Sequence, residues 1–149
     1  MRLKIMLAGL GLALALGTAG LAHAADDVIA ERQALMKANA AAAKTIFDMI
    51  QGKAPYDEAT ARLAFEKLAG DLKAAVALFP DGSDQGKTSA SPAIWNDKTG
   101  FEAIAAKLVT DATAGAAAAD GGLDAIKASA MAVGGSCQSC HEKFRIKKP

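Results

Sequence analysis

The chain has 149 residues, of which 52% are hydrophobic and 22% are charged, and its formal net charge is +1. This near-neutral balance argues against nucleic acid as the main partner, because there is no basic field to attract phosphate groups. The length fits one compact domain.

The first two dozen residues have the pattern of a secretory signal peptide. Arg2 and Lys4 form a short positive region, residues 5–21 are uncharged and largely apolar, and Ala22-His23-Ala24 forms an A-x-A cleavage site. A membrane anchor is the competing interpretation, but glycines interrupt the apolar stretch and it is short for a membrane span. We therefore expect cleavage after Ala24, export to the periplasm, and a mature domain of residues 25–149 that does not span a membrane.

The mature chain is predicted to be helical. Alanine, the strongest helix former, accounts for 31 of its 125 residues, and loss of the leader changes the net charge to −1. Residues 27–51 repeat apolar side chains at spacings of three, four and seven, which predicts a first helix ended by Gly52 and Pro55. Asp57 is predicted to cap a second helix that extends to about residue 79.

Two further helices are predicted after a polar loop at residues 81–91. Ser91 and Pro92 form the pattern of an N-cap followed by proline, which predicts a third helix to about residue 119. Adjacent glycines then break the chain before a fourth helix at residues 123–145. Four amphipathic helices joined by mostly short loops predict an all-α, antiparallel four-helix bundle. Because alanine faces bury little area, this bundle would gain from a large apolar group in its middle.

One short motif carries the chemistry of the chain. Cys137-Gln138-Ser139-Cys140-His141 is the C-x-x-C-H sequence to which c-type haem is attached. Two thiols at this spacing add to the two vinyl groups of the porphyrin and form thioethers. The adjacent imidazole is then placed to ligate the iron as its proximal ligand. We therefore predict one covalent haem c, which would also fill the core that alanine leaves thin.

Other roles for two cysteines at this spacing fit the sequence less well. A thioredoxin-like redox pair needs a βαβ context, which the predicted helices do not supply. A zinc site needs four ligands, whereas the mature chain has two cysteines and one histidine. A short structural disulfide remains open as the conservative alternative.

Four motifs lie along the mature chain. They are Glu31-Arg32-Gln33-Ala34-Leu35-Met36-Lys37, Gly52-Lys53-Ala54-Pro55-Tyr56-Asp57, Pro92-Ala93-Ile94-Trp95, and the haem-binding segment from Gly134 to Lys148. Together they resemble the motifs of the class II cytochromes c, the cytochrome c′ and cytochrome c-556 family. The resemblance covers the whole mature chain and implies a four-helix bundle with haem near one end.

The resemblance also implies roles for single residues. It places the residue four positions after the arginine of the Arg-Gln pair on the distal side of the haem; here this is Met36, with Leu35 in its place if the register differs by one. It places Arg32 near a haem propionate and Arg145 near the proximal side and the propionates. Without the resemblance, Met36 would be interpreted as core filler and Arg145 as a solvated cation at a helix end.

The distal residue separates two functions within this family. A methionine gives a six-coordinate, low-spin iron suited to electron transfer, as in the c-556 type. An apolar residue gives the five-coordinate iron of cytochrome c′, which binds NO and CO. We predict a periplasmic electron carrier with iron ligated by His141 and Met36, and not an enzyme, because no substrate is transformed. The alternative is a cytochrome c′-like protein that binds NO or CO.

The sequence predicts partners only by class. Redox partner proteins are expected, and no particular one is indicated. A basic end formed by Lys143, Arg145, Lys147 and Lys148 is a candidate docking patch for an acidic redox protein. Small residues at positions 40–43 would allow close packing of a homodimer.

Overall fold

The computed structural model describes residues 19–146, which form a bundle of antiparallel helices. The helices are α1 (Ala19–Ile50), α2 (Glu58–Ala75), α3 (Ala93–Asn96), α4 (Lys98–Ala117) and α5 (Leu123–Phe144), with 3-10 turns at Val76–Leu78 and Ala119–Gly121. The four long helices pack in sequence, α1 on α2, α2 on α4 and α4 on α5, while α1 meets α5 much less closely. The predicted all-α four-helix bundle is confirmed.

The predicted signal peptide lies mostly in residues 1–18, which are outside the described part of the chain. Helix α1 begins at Ala19, earlier than the predicted start at residue 27, and so it runs through the predicted cleavage point after Ala24. Cleavage there remains a prediction and would leave the helix to begin at Ala25. Between residues 19 and 146, no helix is long and apolar enough to cross a membrane.

The prediction of one continuous third helix after Pro92 is wrong. The short helix α3 ends at Asn96, and α4 begins at Lys98. Asp97 leaves the helical region of backbone space with φ −135° and ψ 63°. Its carboxylate accepts a hydrogen bond from the Gly100 backbone N–H at 3.0 Å and caps α4. The same carboxylate pairs with Lys143 on α5, and these two bonds, that to Lys143 first, lower the pKa of Asp97. The break is thus stabilised by a contact between segments distant in sequence.

The predicted end of the first helix and the predicted start of the second are confirmed by their hydrogen bonds, whereas the second helix ends at Ala75, before a 3-10 turn at Val76–Leu78, and not at residue 79. Gly52 has φ 70°, and the N–H of Lys53 donates to the carbonyl of Asp48 at 2.8 Å, which closes α1 with a Schellman motif. Asp57 accepts from the N–H of Thr60 at 2.7 Å and caps α2. Turns read from local sequence are therefore accurate here, since each is held by its own residues.

The apolar interior is divided into two clusters. The larger, main cluster joins α1, α2, α4 and α5 and includes Ala42, Ile46, Phe65, Leu68 and Val133. The smaller, aromatic cluster consists of Ile94, Phe101 and Phe144, with Phe79 and Trp95 packed against it. Ring centroids of Phe79 and Phe101 are 4.8 Å apart, and those of Phe101 and Phe144 are 5.4 Å apart. The candidate site described below lies where these two clusters meet.

Gly115 on α4 makes a close approach to α2 possible, and substituting it should destabilise the bundle. A Cβ at this position would lie 2.6 Å from ring atoms of the fully buried Phe65. We expect Gly115→Ala to cost about 1–3 kcal/mol in the free energy of unfolding, as overpacking does. The matched control is Gly70→Ala on α2, where a Cβ meets nothing within 4 Å; this helix-favouring change should stabilise by about 1 kcal/mol. Urea denaturation followed by circular dichroism measures both, and equal effects would contradict the proposed overlap.

Candidate haem site

The residues of the C-x-x-C-H motif lie within the last turns of α5. Cys137 and Cys140 are unpaired, half-buried thiols, and burial raises the pKa of each. Cys137 packs against the main cluster and Cys140 against the aromatic cluster. The two thiols therefore stand at the boundary between the two halves of the core.

His141 follows Cys140 directly, and its side chain is exposed in part to solvent. Partial desolvation, and then the positive charge of Arg145, lower the pKa of the imidazole. Both effects favour the neutral ring, which is the form that ligates a metal. Arg145 is thus close enough to act on the imidazole, and its predicted place beside the haem stays a prediction. The fourth helix was predicted to include Arg145, but α5 ends at Phe144 and the backbone of Arg145 is extended.

A buried hydrogen bond holds α5 in place beside the motif. The hydroxyl of Ser136 donates to the carboxylate of Asp111 on α4 at 3.1 Å. Ser136 is buried and directly precedes Cys137. The bond therefore fixes the rotation of α5 next to the first thiol.

Arg32 lies inside the protein, only 6% exposed. Its Nε donates to the carbonyl of Leu78 at 2.6 Å, its Nη1 donates to the carbonyl of Ser83 at 2.9 Å, and its Nη2 donates to the hydroxyl of Ser83. The guanidinium also lies 4.3 Å from the ring centroid of Phe79. Desolvation lowers the pKa of Arg32. Its visible role is therefore to hold the chain that follows α2, with two N–H groups left for another acceptor such as the predicted propionate.

The segment held by Arg32 in turn holds the end of α5. The N–H of Ser91 donates to the carbonyl of Phe144 at 3.0 Å, and the N–H of Ile146 donates to the carbonyl of Ser89 at 2.8 Å. Ala90 and Arg145 form an isolated antiparallel bridge. Through this loop, α1 and the haem-binding end of α5 are fastened to each other.

Replacing Arg32 should loosen this connection. We expect Arg32→Met to cost about 3 kcal/mol in the free energy of unfolding, because the carbonyls of Leu78 and Ser83 lose their donors. Arg62→Met is the matched control; Arg62 is partly exposed and donates to one backbone carbonyl, that of Ala116, so its loss should be clearly smaller. Chemical denaturation of both variants measures the difference. An equal loss of unfolding free energy in the two variants would show that the buried hydrogen bonds of Arg32 stabilise the protein no more than those of the partly exposed Arg62.

Met36 lies one turn after Arg32 on α1 and is 37% exposed. Its orientation follows from Phe47, which faces α5: a Cβ on Gly134 would lie 3.1 Å from Cζ of Phe47. Met36 precedes Phe47 by eleven residues, which places it about 20° from Phe47 around the helix, whereas Leu35 is about 120° away. Of these two neighbours, Met36 is on the side of α1 that faces α5.

Asn39, which was not predicted from the sequence as a site residue, is only 7% exposed. Neither its Oδ1 nor its Nδ2 has a hydrogen-bond partner. The signal was present in the spacing, because Asn39 is seven residues from both Arg32 and Ile46, which are buried on the inner face of α1. A polar residue on an otherwise inward face indicates a function or a missing partner.

These residues fit a covalent haem. Two free thiols lie on α5 where the two apolar clusters meet, and the adjacent His141 has a lowered pKa. Helix α1 packs less closely on α5 than on α2. The orphaned amide of Asn39 points to a group that the protein alone does not supply. Cys137 and Cys140 are suited to hold the porphyrin and His141 its iron.

The basic end predicted from the sequence is less free than expected. Lys143 pairs with Asp97, which offsets part of its charge. Lys147 and Lys148 lie outside the described residues. The acidic-partner patch therefore stays a prediction.

Comparison with known proteins identifies the family. Residues 27–145 match the sequence profile of the family described as Cytochrome C′. A cytochrome c′ from Rhodopseudomonas palustris is 39% identical over 150 residues, covering 98% of this chain and 99% of that protein. A cytochrome c-556 from Agrobacterium fabrum is 33% identical over 130 residues, covering 87% and 88%. The solved structure of cytochrome c′ from Rhodopseudomonas palustris is similar with a TM-score of 0.78 and 40% identity, covering 83% of this chain and 98% of that one. The chain therefore belongs to the class II cytochrome c family, and its cofactor is a covalent haem c.

Proposed function

We propose that this protein is a one-electron carrier whose haem iron is ligated by His141 and Met36. Cys137 and Cys140 hold the porphyrin through thioethers, and the haem supplies the redox couple. The observation that carries the proposal is the approach of Phe47 to Gly134 on α5, the helix that bears His141, because Met36 is about 20° around α1 from Phe47 by helix geometry. A thioether ligand favours the reduced iron and so raises the reduction potential.

The chain's own residues hold this arrangement rigid. Ser136 fixes α5 beside the thiols, and Arg32 fixes the loop that meets the end of α5. Rigid ligands suit electron transfer, because little has to move when the charge on the iron changes. No group in this set is placed to transform a substrate, and we propose no enzymatic activity.

Gas binding is the second candidate, and the comparisons favour it over electron transfer. The 39% identical relative and the similar solved structure are both named cytochrome c′, the type with a five-coordinate iron that takes up NO and CO. Relatives named cytochrome c-556 are also found. The 37% exposure of Met36 is compatible with a distal ligand that an added gas displaces. The distal methionine is the feature of this chain that separates the two functions.

The decisive experiment is an absorption spectrum of the purified holoprotein, oxidised and reduced, before and after addition of CO. Sharp low-spin bands with a weak near-infrared methionine-to-iron(III) feature, unmoved by CO, are expected for the electron carrier. A broad high-spin spectrum that shifts with CO would establish the gas-binding function instead.

We propose that the electron carrier acts in the periplasm after cleavage following Ala24, as a single domain of residues 25–149. The match to the family over residues 27–145 supports these bounds. Redox proteins are the proposed partners, and a homodimer is proposed for the folded protein. Mass spectrometry of protein purified from the periplasmic fraction tests both the cleavage point and the haem adduct.

A further inference from the structure

Asn39 is a buried amide whose hydrogen-bonding capacity is unused. The side chain is 7% exposed, and both polar atoms lack a partner within the described residues. An unsatisfied amide inside a protein is unfavourable, so buried polar groups nearly always have partners. Asn39 is therefore placed to meet a group that binds at this position.

The position of Asn39 along α1 falls between the two apolar clusters. Arg32, seven residues and nearly two turns before Asn39, stacks on Phe79, and Phe79 packs against the aromatic cluster. After it, Ala42 and Ile46 belong to the main cluster. On α5, Cys137 and Cys140 border these same two clusters. The amide and the thiols thus flank the same break in the core.

Asn39 is also level with His141. The close approach of Phe47 to Gly134 sets the relative height of the two antiparallel helices. Asn39 is eight residues before Phe47, about 12 Å along α1, and His141 is seven residues after Gly134, about 10.5 Å along α5 in the matching direction. By helix rise, the amide and the imidazole therefore lie at similar heights on the two antiparallel helices.

We propose that Asn39 supplies a hydrogen-bond donor on the distal side of the haem and stabilises a polar or diatomic ligand in the sixth position of the iron. Asn39 lies within one turn of Met36 on α1, three residues later, and so acts on whatever ligand stands there when the methionine sulfur does not. This inference rests on the proposed placement of the haem between α1 and α5. The amide of Asn39 would make the distal pocket polar and would favour ligands that accept a hydrogen bond.

The test uses CO as a probe. Asn39→Leu is introduced into the wild-type holoprotein and into Met36→Ala, and each variant is compared with the same protein that retains Asn39. Leucine has a similar size and removes an unpaired polar group, so the variant is expected to fold. Gln51→Leu is the matched control, because it removes an exposed amide at the end of the same helix, about 18 Å along the helix axis from Asn39. We expect Asn39→Leu to raise the C–O stretching frequency of bound CO and to weaken NO binding roughly fivefold, the value of one neutral hydrogen bond. Gln51→Leu should change neither.

The results distinguish this inference from the proposed function. If CO binds only after Met36→Ala, the methionine ligand is supported, and the stretching frequency with and without Asn39 then decides the role of the amide. If CO already binds the wild-type protein, the proposal of a methionine-ligated electron carrier is contradicted. The C–O stretching frequencies of the wild type and of Asn39→Leu then still test the role of the amide. An unchanged frequency in the protein that binds CO, or no CO binding in either background, would overturn the inference.

Discussion

Serine in place of both Cys137 and Cys140 should give a protein without covalent haem and with a much less stable bundle. The thioethers depend on the two thiols, and each thiol lies at the boundary of a different apolar cluster. Without the haem, the break between these clusters has no large apolar filling. We expect a loss of several kcal/mol, a large share of the roughly 5–15 kcal/mol that typically stabilises a domain.

Two measurements check this prediction. The mass of the polypeptide after denaturing extraction reports the adduct, and urea unfolding followed by circular dichroism reports stability. Gln138→Ser is the matched control, because it changes an exposed residue inside the motif and leaves both thiols. Covalent haem retained in the double variant would show that the attachment site is elsewhere, and unchanged stability would show that the haem is not part of the core.

Met36→Ala should convert a low-spin haem almost completely to a high-spin form that binds CO. The thioether sulfur is the proposed sixth ligand, and alanine offers no donor atom. Loss of this ligand should also lower the reduction potential, because methionine favours the reduced iron. Absorption and electron paramagnetic resonance spectra report the spin state, and redox titration reports the potential.

Leu35→Ala is the control for the register of α1. Leu35 is adjacent in sequence but lies about 120° around the helix from Phe47, which marks the side facing α5. This variant should keep the low-spin spectrum. A high-spin spectrum in Leu35→Ala together with an unchanged one in Met36→Ala would move the distal position by one residue and contradict the ligand assignment.

The sequence identified Arg32 as a site residue but did not predict its contacts within the protein. The family motif singled it out, and the resemblance implied a propionate partner. The structure adds three hydrogen bonds to Leu78 and Ser83, which lie far along the chain, and a stacked aromatic ring. No local pattern contains such bonds, because they exist only after the loop has folded back on α1.

The break at Asp97 has a similar origin. The run that follows Pro92 is compatible with one continuous helix, and the sequence indicated one. The carboxylate of Asp97 instead caps α4 and pairs with Lys143 on the last helix. A cap and a distant ion pair together outweigh the continuity that local propensity favours.

Local sequence predicts the four long helices, several of their caps and the haem-binding motif. These features depend on neighbours within a few residues: Gly52 and Asp57 act on the nearest turns, and the two cysteines and His141 act as one local unit. The packing of distant segments establishes which side of α1 faces α5, which carbonyls Arg32 binds, and that the buried amide of Asn39 has no partner among the described residues. The physical reason is that burial and hydrogen-bond partners arise from the packing of distant segments, whereas propensity and spacing act along the chain.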